Sequence, residues 1–160
     1  MDIREVEVPE VPGSLWVGRL PAGEQAAEEW NQVLGGFTVV VVLAGPEEGI
    51  GLPPSPEAEG KSAARLFWLA TPNLSIPVDE QQLGEALRTA AEALQGGGKV
   101  LVACPTGIGR TGTFAVCLLV YLGLDKLEAN IRLADAAAGP ESGIQESLIE
   151  AVVRYMGTRV

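Results

Sequence analysis

One cysteine and one arginine stand at a spacing that could bind and attack a phosphate group. Cys104 and Arg110 bracket five mostly small residues. The apolar run before Cys104 predicts a buried strand, and the apolar run after Arg110 predicts a buried helix. The connecting loop therefore lies at a strand end and a helix N-terminus, where backbone N–H groups and the positive end of the helix dipole converge. Such a loop binds a dianion, and its field lowers the pKa of a cysteine thiol inside it.

The residue types within this loop suit a phosphate cradle. Gly107 and Gly109 allow a close approach of the backbone that side chains would prevent. Arg110 adds a planar fork that can hold two phosphoryl oxygens. The plain alternatives are that Cys104 is a small buried hydrophobe and Arg110 an ordinary surface arginine, whereas Cys117, within the apolar helix, is expected to be a core residue. The predicted phosphate-binding residues are Pro105, Thr106, Gly107, Ile108, Gly109 and Arg110.

The order Cys, five residues, Arg, Thr resembles the signature of the cysteine-dependent protein tyrosine and dual-specificity phosphatases. The resemblance extends over residues 13 to 156 and is strongest to small atypical dual-specificity phosphatases. Residues 11 to 21 resemble the opening strand of those proteins. It implies that Cys104 attacks phosphorus to give a phosphocysteine, and that Arg110 and the loop amides hold the equatorial oxygens. It also implies that the Thr111 hydroxyl stabilises the departing thiolate, without a metal or other cofactor. Thr111 could equally cap the following helix.

Three positions depart from the family pattern. The family has His before the cysteine, where Ala103 stands, and the chain has no His. The general acid of the family, an Asp a few residues before a Pro and upstream of the cysteine, falls on Asn73, which cannot donate a proton to a leaving oxygen. Loss of a positioned acid typically slows a reaction by about 10²–10⁴. Pro105 removes one backbone N–H from the cradle.

Two polar residues could replace missing catalytic groups or could simply cap helices. Asp79 is the alternative acid, but it precedes a helical pattern and carries Gln82 three residues later, which favours an N-cap. Gln145 could position water for the hydrolytic step. It also stands three residues after Ser142, in the order of a capping box before the last helix.

Length and composition favour a single domain over residues 1–160, and the resemblance implies that it is phosphatase-like, with its core at about 13–156. The chain is 47% hydrophobic, its N-terminus lacks a signal-peptide pattern, and its two cysteines suit a reducing compartment, so we expect a cytoplasmic monomer. The most apolar segment, 114–124, is too short to cross a bilayer, which takes about 20 residues. A net charge of −10 without a basic cluster excludes nucleic acid and anionic membranes as expected partners. Substrate attraction must be local, from the cradle and either Arg19 or Arg132, unless these two are solvated surface residues.

Predicted strands and helices alternate along the chain. Strands are expected at 15–17, 38–43, 65–69 and 99–103, and helices at 24–34, 80–95, 111–121, 126–138 and 144–155. This order predicts a three-layer α/β domain with a central, mostly parallel twisted sheet of about four to five strands and helices on both faces. Ligands of such sheets bind at the carboxyl ends of strands, where Cys104 falls. The Pro-, Gly- and Glu-rich segment 44–61 is a long loop, either a solvated connection or a lid on the pocket.

Two functions are consistent with these residues. The first is hydrolysis of a phosphorylated protein or small phosphomonoester through a phosphocysteine, with weakened general-acid catalysis. The alternative is a pseudophosphatase that binds phosphorylated partners without turnover. The intact Cys104 and Arg110 favour the first function, whereas Ala103 and Asn73 favour the second.

Overall fold

A computed structural model describes residues 2–46, 48 and 64–157. These residues form five strands and five helices. The strands are β1 (Ile3–Val6), β2 (Ser14–Arg19), β3 (Val39–Ala44), β4 (Arg65–Ala70) and β5 (Lys99–Cys104). The helices are α1 (Ala26–Gly36), α2 (Glu80–Gln95), α3 (Gly109–Tyr121), α4 (Lys126–Asp135) and α5 (Gly143–Gly157).

The strands form a single sheet in the order β1-β2-β5-β3-β4. β5 pairs in parallel with both β2 and β3, and β3 pairs in parallel with β4, whereas β1 pairs antiparallel with β2 at the edge. The predicted α/β domain with a mostly parallel sheet is therefore confirmed. Because β5 is central, its carboxyl end, at Cys104, is flanked by the ends of β2 and β3.

The sheet separates two apolar cores, and its middle strands contribute to both. In β3, Val39 and Val41 face one core and Val40 and Val42 face the other, and all six residues of the strand are buried. This alternation is expected of a central parallel strand covered on both faces. One core lies under α1 and includes Trp30; the other lies under the remaining helices. The predicted helices on both faces are present, one on the first face and four on the second.

The predicted strand at 15–17 is longer, Ser14–Arg19, and is the second strand of the chain. β1 was missed because its sequence, Ile-Arg-Glu-Val, is short and half charged, which is typical of an edge strand. α3 begins at Gly109 rather than Thr111, and α4 ends at Asp135 rather than 138. Most of the predicted loop at 44–61 lies outside the described residues. Its described part consists of residues 44–46 and Glu48.

Candidate active site

The Cys104 sulfur lies at the base of the loop between β5 and α3. Cys104 is fully buried at the last position of β5. The Gly107 amide donates a hydrogen bond to Sγ over 3.2 Å, and the Thr106 hydroxyl lies 3.8 Å from the same atom. The neighbouring Ala103 points to the opposite core, as strand alternation requires. The methyl group of Ala103 therefore adds no polar contact to the thiol.

The surroundings of Cys104 favour its thiolate. Burial would raise the pKa of the thiol, because a charge is poorly solvated there. Interactions with the hydroxyl and amide of Thr111, the Thr106 hydroxyl and the Gly107 amide outweigh this effect, so the pKa of Cys104 is lowered from its ordinary value. The other thiol behaves oppositely, since burial raises the pKa of Cys117 to about 12. The two thiols thus differ in their surroundings, and Cys117 is a core residue, as expected.

Gly107 shapes the loop where it turns over the sheet. Its φ of +74° lies in the left-handed region that favours glycine. A methyl group at this position would also come within 2.8 Å of the Gly18 carbonyl carbon in β2. Gly107 is therefore required both for the turn and for the contact between the loop and the sheet.

Arg110 is held by two partners in an otherwise buried setting. It is 3% exposed and lies in the first turn of α3. Its Nη1 donates to the Thr71 carbonyl over 3.0 Å and to Oε1 of Glu48, while its Nη2 donates to Oε2 of Glu48 over 3.0 Å. The hydrogen bonds from Arg110 lower the pKa of the Glu48 carboxyl, and Glu48 in turn offsets burial and raises the pKa of Arg110. Both side chains are therefore charged at neutral pH.

The hydrogen bonds that Arg110 makes with described residues leave one edge of its guanidinium for a ligand. The group carries five N–H donors. Glu48 and Thr71 engage both donors of Nη1 and one donor of Nη2. The remaining Nη2 donor and the Nε donor form the side-on pair that matches two oxygens of a phosphoryl group. Glu48 thus orients Arg110 without occupying this second pair.

Thr111 lies within the first turn of α3, because the helix begins two residues earlier and Ile108 holds the N-cap position. The alternative that Thr111 is the helix cap is therefore wrong. Its buried Oγ1 has no hydrogen bond of normal geometry among the described residues. The hydroxyl nevertheless acts on Cys104, whose pKa it lowers. It is free to donate to the sulfur when negative charge develops there.

Asn73, the position predicted to correspond to the general acid, lies in an exposed turn closed by a hydrogen bond from the Ser75 amide to the Pro72 carbonyl. This turn is tied to the start of α5. The Ser142 hydroxyl donates to the Leu74 carbonyl, and the Gln145 side-chain amide donates to the Ser75 carbonyl.

Both ends of the buried Gln145 side chain are engaged, since its Oε1 accepts a hydrogen bond from the Glu141 amide. The backbone N–H of Gln145 donates to the Ser142 hydroxyl over 3.3 Å, which confirms Ser142 as a cap. Gln145 joins two segments here, and its amide group has little freedom to position water.

Asp79 caps α2, as predicted. Its Oδ1 accepts a hydrogen bond from the Gln82 amide over 3.0 Å, and its backbone is extended. An exposed carboxylate with this role contributes no described contact to the loop after β5. The structure therefore gives no support to Asp79 as the alternative acid.

The two arginines considered for substrate attraction differ in their surroundings. Arg132 is bound by Glu10 through two hydrogen bonds of 2.7 Å and by Glu128, and it donates to the Glu7 carbonyl. Arg132 is therefore neither a free surface cation nor a substrate-binding residue. Arg19, in contrast, is exposed and lies opposite Cys104 in the sheet register.

Glu141 brings a further carboxylate to the cradle. A methyl group at Gly109 would come within 2.2 Å of its Oε1, so the carboxylate lies directly against the start of α3. Its charge also acts on Arg110. The backbone of Glu141 is anchored, because its N–H donates a hydrogen bond to Oε1 of the buried Gln145.

Sequence reasoning missed Glu48 and Glu141 as site residues. Glu48 had one usable signal, because it follows the carboxyl end of the central strand β3, where ligands of parallel sheets bind. Glu141 had none, since its contact with Gly109 depends on how α5 packs against α3. Within residues 2–46, 48 and 64–157, no group of three or more His, Cys, Asp or Glu side chains is arranged to hold a metal ion. In the same residues, no helix combines the length and apolarity needed to span a membrane.

This arrangement defines a class of protein. A thiol and an arginine at the two ends of a glycine-containing loop, between a central parallel strand and a buried helix, are the arrangement typical of cysteine-dependent phosphatases. The sequence profile of the Swiss Army Knife protein, DSP-PTPase phosphatase domain (PTP-SAK) matches residues 11–147. The chain belongs to this family of phosphatases.

Solved structures agree with this assignment. Tk-PTP in its active form is 29% identical, with 91% of this chain and 97% of that chain covered and a TM-score of 0.71. PTPMT1 in complex with PI(5)P is 15% identical over 98% of this chain and 97% of that chain, with a TM-score of 0.77. Human DUSP28 is 18% identical over 91% and 95%, with a TM-score of 0.67. The last two similarities concern the fold. A comparison with curated protein sequences finds no significant match.

Proposed function

We propose that this phosphatase hydrolyses phosphomonoesters through a phosphocysteine intermediate on Cys104. One observation carries the proposal: a thiol with a lowered pKa lies at the base of a loop whose other end, Arg110, keeps two N–H donors for a ligand. A nucleophile and a phosphate anchor at one strand end match the needs of phosphoryl transfer. A purely structural cysteine has no use for either feature.

The reaction has two steps. In the first, the Cys104 thiolate attacks phosphorus, an S–P bond forms and the bond from phosphorus to the leaving oxygen breaks, with a proton passing to that oxygen. Arg110 and the loop amides stabilise the charge on the equatorial oxygens. In the second step, water attacks phosphorus and the S–P bond breaks, which returns the thiolate and releases inorganic phosphate. The Thr111 hydroxyl then donates to the departing sulfur.

Among the residues that the structure describes, Glu141 is the best-placed acid for the leaving group. The side-chain amide of Asn73 cannot give a proton to a leaving oxygen, and Asp79 caps a helix. Glu48 is held as a carboxylate, because Arg110 lowers its pKa. Glu141 lies against Gly109 at the cradle and is held in place through its amide. Its protonated form is therefore proposed to supply the proton in the first step, and its carboxylate to receive one from water in the second.

The proposed substrates are a phosphorylated protein or a small phosphomonoester with a single phosphate group. Charge carries this part of the proposal, since the chain has a net charge of −10 and two carboxylates flank the cradle at Glu48 and Glu141. Additional phosphate groups on a substrate would be repelled outside the cradle.

Replacement of Cys104 tests the mechanism. Cys104→Ser keeps a group of similar size but supplies no thiolate at neutral pH, so turnover of nitrophenyl phosphate should fall at least about 10³-fold. Binding of inorganic phosphate, measured by calorimetry, should persist because the cradle and Arg110 remain. Cys117→Ser is the matched control and should retain wild-type turnover. Wild-type turnover in Cys104→Ser would overturn the phosphocysteine mechanism.

The second candidate function is a pseudophosphatase that binds phosphorylated partners. Asn73 in the expected acid position favours it, because efficient release of an alkoxide needs a proton donor. The same measurements separate the two functions. Phosphate binding without turnover of nitrophenyl phosphate in the wild-type protein would support the binding function.

A further inference from the structure

Arg4 in the edge strand β1 contacts the phosphate-binding loop from outside. Its Nη2 donates to the Gly107 carbonyl over 3.0 Å, and its Nε donates to the Ala136 carbonyl over 2.8 Å. The side chain is 28% exposed and has Asp2 within 3.7 Å. Arg4 thus joins three segments that are far apart in sequence: the N-terminal strand, the loop after β5 and the end of α4.

This contact fixes one peptide group of the loop. Because a peptide is planar and trans, the Ile108 N–H points opposite to the Gly107 carbonyl, and therefore away from Arg4. The preceding N–H, on Gly107, already points to the Cys104 sulfur. Gly107 has a φ of +74°, and glycine resists a change of peptide orientation less than other residues do. An external partner is therefore needed to select one orientation.

The opposite orientation would be harmful to phosphate binding. A Gly107 carbonyl turned into the loop would present a partial negative charge to the phosphoryl oxygens and remove the Ile108 donor. The loop already lacks one donor at Pro105 and has a methyl group, that of Ala103, before the cysteine. The charged Arg4 side chain also polarises the peptide group between Gly107 and Ile108, which makes the Ile108 N–H a stronger hydrogen-bond donor.

We propose that Arg4 is a positioning residue for catalysis: it holds the Gly107 carbonyl outside the loop and so presents the Ile108 N–H to the bound phosphoryl group. This inference rests on the proposed function, since it concerns the same loop. Arg4 itself does not touch the substrate. Its effect passes through the backbone of the loop.

The test compares Arg4→Met, Arg4→Lys and Arg132→Met with the wild-type protein. Arg4→Met keeps the apolar stem and removes both donors, whereas Arg4→Lys keeps the charge but not the two-pronged contact. Arg132→Met is the matched control, because Arg132 also ties α4 to the N-terminal segment but bonds to Glu7, Glu10 and Glu128 instead of the loop. The measurements are inorganic phosphate affinity by calorimetry, the pH midpoint of Cys104 alkylation by iodoacetamide, and the thermal midpoint.

For Arg4→Met we expect an affinity for inorganic phosphate about tenfold weaker and an alkylation midpoint shifted to higher pH, because one charge-assisted contact that orders the loop is lost. Arg4→Lys should be intermediate. Arg132→Met should lower the thermal midpoint while leaving phosphate affinity and the alkylation midpoint unchanged. Wild-type phosphate affinity and alkylation in Arg4→Met would overturn the proposal, as would equal losses in Arg132→Met.

If Arg4→Met does not fold, Arg4→Lys decides: less than a twofold loss of phosphate affinity would overturn the proposal. Neither readout requires turnover, so these results are independent of the Cys104→Ser experiment. Turnover that persists in Cys104→Ser would refute the phosphocysteine mechanism while leaving the Arg4 result to be judged on phosphate binding alone.

Discussion

At the scale of single residues, the acid of the first step depends on its neighbours. In the part of the chain that the structure describes, Glu48 and Glu141 bring carboxylates to the cradle, and their surroundings differ. Glu48 is paired with Arg110, which lowers the pKa of its carboxyl group, whereas Glu141 packs against a backbone glycine. Arg110 thus commits Glu48 to an orienting role, and Glu141 is the carboxyl group proposed for proton transfer.

Replacement of Glu141 should therefore affect substrates according to their leaving groups. In Glu141→Gln, hydrolysis of a phosphoserine peptide should fall about 10²-fold or more, because a serine alkoxide needs a proton. Hydrolysis of nitrophenyl phosphate should fall much less, since nitrophenolate leaves as a stable anion. The measurement is kcat/KM for both substrates.

Two controls accompany this comparison. Asp79→Asn should change neither rate, because asparagine also caps helices well. Asn73→Asp should raise the rate most for the phosphoserine peptide if the exposed turn reaches the leaving group. Equal losses for both substrates in Glu141→Gln would contradict the acid role of Glu141.

At the scale of elements, α3 is held against the segment after α4 by a contact that tolerates no side chain. A methyl group at Gly112 would lie 2.0 Å from the Gly139 amide nitrogen. The same Gly139 amide donates to the Ile108 carbonyl over 3.2 Å, so this contact also supports the phosphate-binding loop.

Gly112→Ala should consequently lower the free energy of unfolding by about 1–3 kcal/mol, the usual effect of overpacking. The matched control is Gly84→Ala in α2, where a methyl group would meet nothing within 4 Å. That substitution should raise the free energy of unfolding by about 0.5–1 kcal/mol, because alanine favours a helix. Urea denaturation measures both. A Gly112→Ala protein as stable as the wild type would show that α3 can move away from Gly139.

The elements best predicted from sequence are those in which the buried faces alone determine the spacing of the apolar residues. α2 was predicted with its observed bounds, because its apolar residues recur at helical spacing and Asp79 marks its start. β3 and β5 were identified by continuous apolar runs, which central strands require. β1 carries no such pattern, because charged residues lie between its apolar ones and it pairs only with β2, at the edge of the sheet.

The candidate site divides in the same way. Cys104, Arg110 and the glycines between them are close in sequence, so their spacing alone predicts their proximity. Glu48 and Arg4 lie 62 and 103 positions from the loop residues they bind, and long-range packing decides those contacts. Their hydrogen bonds could not be read from local spacing.

At the scale of the whole molecule, charge opposes the approach of the substrate. The net charge is −10, whereas the attraction that binds phosphate comes from the buried Arg110 and from loop amides. The repulsion acts over a distance that salt shortens to about 10 Å at 0.1 M, and buried pairs are screened much less.

We therefore expect kcat/KM for nitrophenyl phosphate to rise several-fold as sodium chloride increases from low concentration to about 0.2 M, because salt screens the repulsion between like charges. Alkylation of Cys104 by the neutral reagent iodoacetamide is the control and should change little. A steady fall of kcat/KM over the same range would show that positive charge near the cradle dominates the encounter.

The fold also determines how the protein can recover once Cys104 is oxidised. Cys117, the second of the two cysteines in these 160 residues, is fully buried, and burial raises the pKa of its thiol to about 12. Cys117 lies about 12 Å along the helix axis from Gly109, at roughly 1.5 Å per residue, and its buried, protonated thiol is a poor nucleophile. A sulfenic acid formed on Cys104 by peroxide therefore has no resolving thiol within these residues. We therefore expect recovery to depend on a thiol from outside these residues, which would couple the activity of this phosphatase to the supply of small reducing thiols.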